Sequence, residues 1–297
     1  MSGFHISTRL LERVAVVWVL ACSAFFYVWS LANPHPEWDM LVYAASAEVL
    51  NQTPYEEIHP RVYSELEQRL SAEEYAHITM GDYYRTVMYE NADAFMEQLP
   101  FYRIRVTFNS LIAFAGRHGI SLYTAGHVIS ATAIISCFLF VWFVFRRNIH
   151  PLLQLLMPVV FYKFTRELEV MQQILADSLA SVWVAFICYA YARRSALLLP
   201  LIAVSVLVRV DLFIFSGLML MLLLLTEKIQ KWGGIIFCGC ILVSVFLAIQ
   251  HWADSYGWQA LYYFAIISEM SATHPSAYSD TGFTFGEYVH SLFYPPR

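Results

Sequence analysis

Charge is scarce in this chain, and that scarcity excludes an ordinary soluble domain. Acidic and basic residues make up 14% of its 297 residues, hydrophobic ones 59%, and the mean hydropathy is +0.53; a typical globular domain is about one-quarter charged. The net charge is −5, and no basic patch exists beyond short clusters flanking apolar runs, which argues against a nucleic-acid partner. A Gly-rich phosphate loop, a Cys/His metal motif and a Gly-x-Ser-x-Gly elbow are also missing, so ATP-driven chemistry is unsupported. Cysteines are few: Cys22, Cys137, Cys188, Cys238 and Cys240 all fall in apolar runs. None has metal-site spacing or lies where an oxidising compartment would pair it, so they read as packing residues within a membrane.

What the chain does have is apolar runs bounded by basic residues. Arg9 and Arg13 precede the first run, Arg146-Arg147 and Arg193-Arg194 follow later ones, and Lys228 and Lys231 precede the last. If each cluster is cytoplasmic, the N-terminus is inside and the intervening acidic loop faces the opposite side. The first run, residues 14–32, is long enough to cross a bilayer. Val19-Leu20-Ala21-Cys22 loosely resembles a lipoprotein cleavage site, but the run continues through Phe25, Phe26, Tyr27 and Trp29, which favours an uncleaved span.

Further spans are expected at 122–145, 152–164, 170–191 and 233–253. Residues 196–225 read either as one helix or as two short spans joined at Arg209-Val210-Asp211. One helix would place Lys228 and Lys231 outside, against the positive-inside rule, so the hairpin is preferred. Its tip then dips below the membrane surface and must line protein rather than lipid. The expected fold is an all-α polytopic membrane protein of about seven spans. Residues 1–253 form its core, 33–120 an extracytoplasmic loop with interfacial helices, and 254–297 an extracytoplasmic tail.

That loop is acidic but not linker-like. Residues 33–105 hold thirteen carboxylates against five arginines, together with Trp38, Tyr43, Tyr55, Tyr63, Tyr75, Tyr83, Tyr84 and Tyr89, enough apolar body to fold. Residues 39–50 and 63–70 read as helices, and Ser71-Ala72-Glu73-Glu74 has the form of a capping box opening a third. Residues 102–117 read as an amphipathic helix lying at the interface.

Several groups are candidates for chemistry. Glu37 and Asp39, two residues apart in a turn, can hold a divalent cation, Mg²⁺ or Mn²⁺, or divide into a base and its positioning partner; alternatively, Asp39 simply complements the helix dipole or caps the helix. Asp177 falls inside the 170–191 run, where an ionisable residue is usually functional. Arg166, Glu169, Gln173 and Asp177 share one helix face if that run is continuous, and an ion pair between Asp177 and Arg209 is the structural alternative. Arg103 and Arg105 can bind a lipid phosphate, but on one helix they point apart, so at most one faces a shared site. His127 reads as a satisfied core histidine.

The first span, Glu37-Trp38-Asp39 and the helix opening Asp39-Met40-Leu41-Val42-Tyr43-Ala44-Ala45 resemble the start of the GT-C superfamily of integral-membrane glycosyltransferases. Leu50-Asn51-Gln52-Thr53-Pro54-Tyr55, Leu99-Pro100-Phe101-Tyr102-Arg103-Ile104-Arg105, Ala176-Asp177-Ser178-Leu179-Ala180 and Val208-Arg209-Val210-Asp211 are similar to recurring patterns of that superfamily. Together these strings spread over most of residues 1–225. The resemblance implies a polyprenyl-phosphate-linked sugar as donor and inverting transfer on the extracytoplasmic face, with a bacterial inner membrane as the expected location. It further implies Asp39 as base beside Glu37, Arg103, Arg105 or Arg209 at the lipid phosphate, and a pocket walled by Tyr43, Arg166, Glu169, Asp177 and Asp211. Superfamily members usually add further spans and often a soluble domain after the core, so a partner subunit is an expectation. The rival readings are a non-catalytic subunit of a membrane assembly and a transporter using Asp177 and Arg209 within the membrane.

Overall fold

The structure is a computed structural model describing residues 8–257, 260, 273–278, 286, 289 and 290; most of the expected tail lies outside these. The described residues are all-helical. A long helix α1 (Thr8–Ala32) leads into seven short ones: α2 (Asp39–Leu50), α3 (Tyr55–Glu67), α4 (Ala72–Met80), α5 (Tyr83–Glu90), α6 (Ala92–Met96), α7 (Leu99–Arg103) and α8 (Val106–Arg117). There follow α9 (Leu122–Phe145), α10 (Pro151–Val159) continued by a π-helical turn (Val160–Phe164), α11 (Glu167–Gln172), α12 (Asp177–Ala192), α13 (Leu198–Val208), α14 (Leu212–Thr226) and α15 (Trp232–Trp252).

Three stretches, Arg9–Ala32, Leu122–Phe145 and Ile229–Trp252, are long and apolar enough to cross a membrane. The shorter apolar helices are Pro151–Phe164, Asp177–Ala192, Leu198–Val208 and Leu212–Thr226. Their outer faces are compatible with lipid. Val17, Phe25, Phe143, Leu225, Phe237 and Leu247 are all exposed, a density of apolar surface that water does not tolerate on a monomer.

Helices α2 to α8 form a cap with its own core. Helix α2 is its centre: residues Met40 to Glu48 are all buried, as expected of a helix apolar on every side. Trp38, Tyr43, Ile58, Val62, Met88, Phe95, Phe108 and Ile112 complete that core. Ser71 accepts a hydrogen bond from the Glu74 amide while the Glu74 carboxylate takes the Ser71 amide, the reciprocal capping box expected for α4. Helix α3 begins at Tyr55, eight residues before the expected start, with Pro60 inside it. Pro60, the sixth residue of the helix, forfeits its bond to the Glu56 carbonyl.

The cap docks on one end of the remaining helices. The His35 amide donates to the Gln172 carbonyl (2.8 Å), Thr107 donates to the Leu207 carbonyl (2.8 Å) and Arg103 to the Trp252 carbonyl (3.2 Å). These contacts collect the ends of α11, α13 and α15 under one surface. Arg146-Arg147, Arg193-Arg194 and Lys228 lie at the other ends of the helices they flank.

Two expected helices are broken. Residues 170–191 are not continuous: Gln173 is extended, and α12 begins only at Asp177. The freed backbone groups find side chains on neighbouring helices. Ser130 both accepts from the Leu175 amide (3.0 Å) and contacts its carbonyl (3.2 Å), and Ser30 and His127 bond the Met171 carbonyl (2.9 and 3.0 Å). A break inside an apolar region is tolerable only when satisfied this way. His127 is thus the satisfied core histidine that was expected. The 102–117 helix is likewise split, Arg105 leaving helical geometry between α7 and α8 while Asn109 bonds the Tyr102 carbonyl (2.9 Å).

The ambiguity at 196–225 resolves into two helices, α13 and α14, separated at Arg209-Val210-Asp211. The Ser205 and Ser216 hydroxyls, flanking the break, meet at 2.7 Å, which folds the pair back on itself as a hairpin. Of the cysteines, Cys238 is buried, Cys22 and Cys137 are half-buried, and Cys188 and Cys240 face outward.

Gly126 is a place where sequence size is dictated by contact. A Cβ built there would meet Ile174 Cγ2 at 2.7 Å and Ile112 Cδ1 at 3.4 Å, and both isoleucines are buried. Gly126→Ala is therefore expected to destabilise the protein by about 1–3 kcal/mol through overpacking. Thermal unfolding in detergent reads this directly; an unchanged midpoint would mean that α9 is not pressed against the α11–α12 break.

Candidate functional site

Where the cap meets the helix ends, Tyr43 gathers three of the expected groups, Asp39, Arg105 and Arg209, around one phenol. Asp39 occupies the first turn of α2, and its Oδ1 accepts a hydrogen bond from the Tyr102 hydroxyl at 2.8 Å. Tyr43, one turn further along α2, packs edge-on against Tyr102 and Phe108, with centroids 5.2 and 4.9 Å away. The Arg105 guanidinium lies over the Tyr102 ring at 4.7 Å and over Tyr43 at 5.5 Å, held there by a 2.8 Å bond to the Phe101 carbonyl. The two ring faces and the fixed donor preorganise this charge.

The same phenol feels charges from several elements. Burial pushes the Tyr43 phenol up from its ordinary value; Arg105 opposes this and Asp39 reinforces it, while the Ala176 amide and Arg209 also draw it down. Four charged or dipolar groups from α2, the α7–α8 turn, the start of α12 and the hairpin tip therefore act on one oxygen. Tyr102 is raised well above 10, by burial first and by the Asp39 carboxylate next. It stays protonated across physiological pH and remains a donor to Asp39. That bond engages Oδ1, leaving Oδ2 of the part-exposed carboxylate as the oxygen able to receive a proton.

Arg209 sits at the hairpin tip, where its Nε donates to Asp211 Oδ2 at 2.9 Å and its guanidinium also pairs with Asp177. Asp177 is the first residue of α12, with a side chain 55% exposed. Its charge lies at a helix end beside an arginine, rather than inside one continuous helix. An aspartate at a helix N-terminus is favoured by the dipole.

The other candidates lie elsewhere. Glu37, in the non-helical stretch before α2, faces His35 (3.3 Å), while Asp39 bonds Tyr102. Among the described residues no three His, Cys, Asp or Glu side chains gather in one place. Arg103 turns away from Arg105, pairing with Asp254 (3.3 Å) and lying over the Trp252 ring, so it ties the cap to the end of α15. The divergence of the two arginines comes from the turn between α7 and α8 rather than from one helix. Arg166, in left-handed geometry before α11, pairs with Glu169 at 3.2 Å on an exposed surface. With α11 and α12 separated, these two share no helix face with Asp177.

Tyr102 and the Ala176 amide are the participants that residue patterns did not single out. Tyr102 is one of nineteen tyrosines, and an amide has no sequence signal at all; only the helix break exposes it. No protein-family model, curated protein or solved structure gives a significant match to this chain.

Proposed function

We propose that the protein is a membrane glycosyltransferase of the GT-C type, moving a sugar from a polyprenyl-phosphate carrier to an acceptor hydroxyl on the non-cytoplasmic face. In this reading all seven apolar segments cross or enter the bilayer, and the cap lies at the outer surface. The observation that carries it is the junction around Tyr43. A carboxylate held by a phenol and the charges of two arginines act on the same tyrosine, and in this reading a lipid phosphate reaches that junction.

The reaction is a direct displacement. The acceptor oxygen forms a bond to the anomeric carbon as its proton passes to Asp39 Oδ2. The bond from that carbon to the phosphate oxygen breaks, and the electron pair leaves with the polyprenyl phosphate. Negative charge grows on that phosphate, so Arg105 and Arg209 stabilise the transition state more than the ground state. Tyr102 holds the carboxylate in place, and Tyr43 with Arg105 forms the wall between cap and bundle. No step is routed through a divalent cation, since Glu37 and Asp39 turn to different partners.

A second reading, a non-catalytic subunit of a membrane assembly, is favoured by one observation: Arg209 is already engaged by Asp177 and Asp211. The two separate in an assay of membranes containing the protein, supplied with a radiolabelled polyprenyl-phosphate hexose. Transfer predicts label moving from the lipid phase into a polar product with release of polyprenyl phosphate. Label that stays on lipid with each hexose tried, while an added partner subunit restores movement, favours the second reading.

A further inference from the structure

The end of the bundle away from the cap carries a cleft that the proposed transfer does not use. The last turns of α9 and of α12 line it, enclosing about 780 Å³. Phe140 forms its floor, packed edge-on against Phe186 and Tyr189 with centroids 4.7 and 5.4 Å away. Arg146, Arg147 and Arg193 surround its mouth, and none of the residues lining it is acidic. The Arg146 guanidinium is placed over the Phe143 ring at 4.6 Å and over Trp142 at 5.5 Å. Trp142 is itself fixed by its bond to Gln154 Oε1 (3.2 Å). Glu227, which follows α14 at the same end of the bundle, is taken by Lys231 at 2.7 Å.

We infer that this cleft binds an anionic phospholipid, its acyl chains against the Phe140 floor and its phosphate among the three arginines. The charge pattern sets the occupant. Three guanidinium groups without a carboxylate among the lining residues attract a phosphate, and planar forks meet it with paired donors. The apolar floor requires the same molecule to carry hydrocarbon. Basic pockets between helices on the cytoplasmic side recognise lipid headgroups for this reason, and the positive-inside arrangement puts the cleft on that side. The site is independent of Asp39 and of transfer.

Cys188 lines the cleft, whereas Cys240 is an exposed thiol on α15 outside it, so the chain carries both a reporter and a reference. Purified full-length protein in non-ionic detergent is mixed with phosphatidylglycerol, phosphatidylcholine of the same acyl chains, or inorganic phosphate. It is then alkylated with a maleimide, and each cysteine is quantified by peptide mass spectrometry. Phosphatidylglycerol is expected to protect Cys188 and leave Cys240 unchanged; phosphatidylcholine and phosphate are expected to do neither. Each arginine removed weakens protection about fivefold, so R146Q/R147Q/R193Q needs roughly a hundredfold more lipid. Lys228→Gln, at the same end but outside the cleft, keeps the wild-type response. R147Q alone, at an exposed position, retains a folded reference if the triple variant unfolds. Equal protection by phosphatidylcholine or by phosphate, or protection that the single and triple variants leave unchanged, overturns the proposal.

Discussion

Asp39→Asn is expected to leave a folded protein that transfers sugar about 10²- to 10⁴-fold more slowly, the usual cost of losing a general base. The substitution is clean because asparagine keeps the oxygen that accepts the Tyr102 hydroxyl while losing the ability to take a proton. Capping cannot produce the same result. The N-cap position of α2 is Trp38, and no side-chain cap bond is formed there. What remains is the dipole effect of a first-turn aspartate, about 0.3–1 kcal/mol of stability and nothing in rate. Transfer within about threefold of wild type by an equally stable variant would reduce Asp39 to a structural carboxylate. Tyr102→Phe is the companion variant. It leaves both carboxylate oxygens unheld, so it should slow transfer by less than Asp39→Asn while the base remains.

The helices were legible in the sequence where a single physical signal dominated. Residues 39–50 and 122–145 match α2 and α9 residue for residue, because polar punctuation frames each. The α13–α14 hairpin was legible because Arg209 and Asp211 interrupt an otherwise uniform apolar run, and the basic clusters demand an extra reversal. The break before α12 was not. Ile174, Leu175 and Ala176 are apolar, and the reason they leave the helix lies on other helices, in Ser30, His127 and Ser130. The same blindness put Asp177 inside one continuous helix and on one face with Arg166 and Glu169. At the site, composition pointed to Asp39 and the arginines, yet the grouping depends on Tyr43 and Tyr102. Their roles follow from tertiary packing of the cap on the helix ends.

Arg209→Met should lower transfer by about 10²- to 10³-fold, the loss typical of removing one donor from a developing oxyanion, while changing stability by less than ~1 kcal/mol. The small structural effect follows from exposure. Asp177 and Asp211 are 55% and 64% exposed at their side chains, though Arg209 itself is 21% exposed, and ion pairs with such solvated partners contribute about 0–1 kcal/mol. Asp177→Asn separates the two functions of the arginine. If Arg209 serves the leaving phosphate, freeing it from Asp177 leaves its charge available, and transfer falls less than about tenfold. If Arg209 only fastens the hairpin tip to α12, both substitutions lower the unfolding midpoint and neither alters the rate per folded molecule. Arg209→Lys adds a third point: it keeps the charge but not the fork, so it should fall between wild type and Met. A rate loss in Asp177→Asn as large as in Arg209→Met would mean that the ion pair itself, rather than the arginine, is what the site requires.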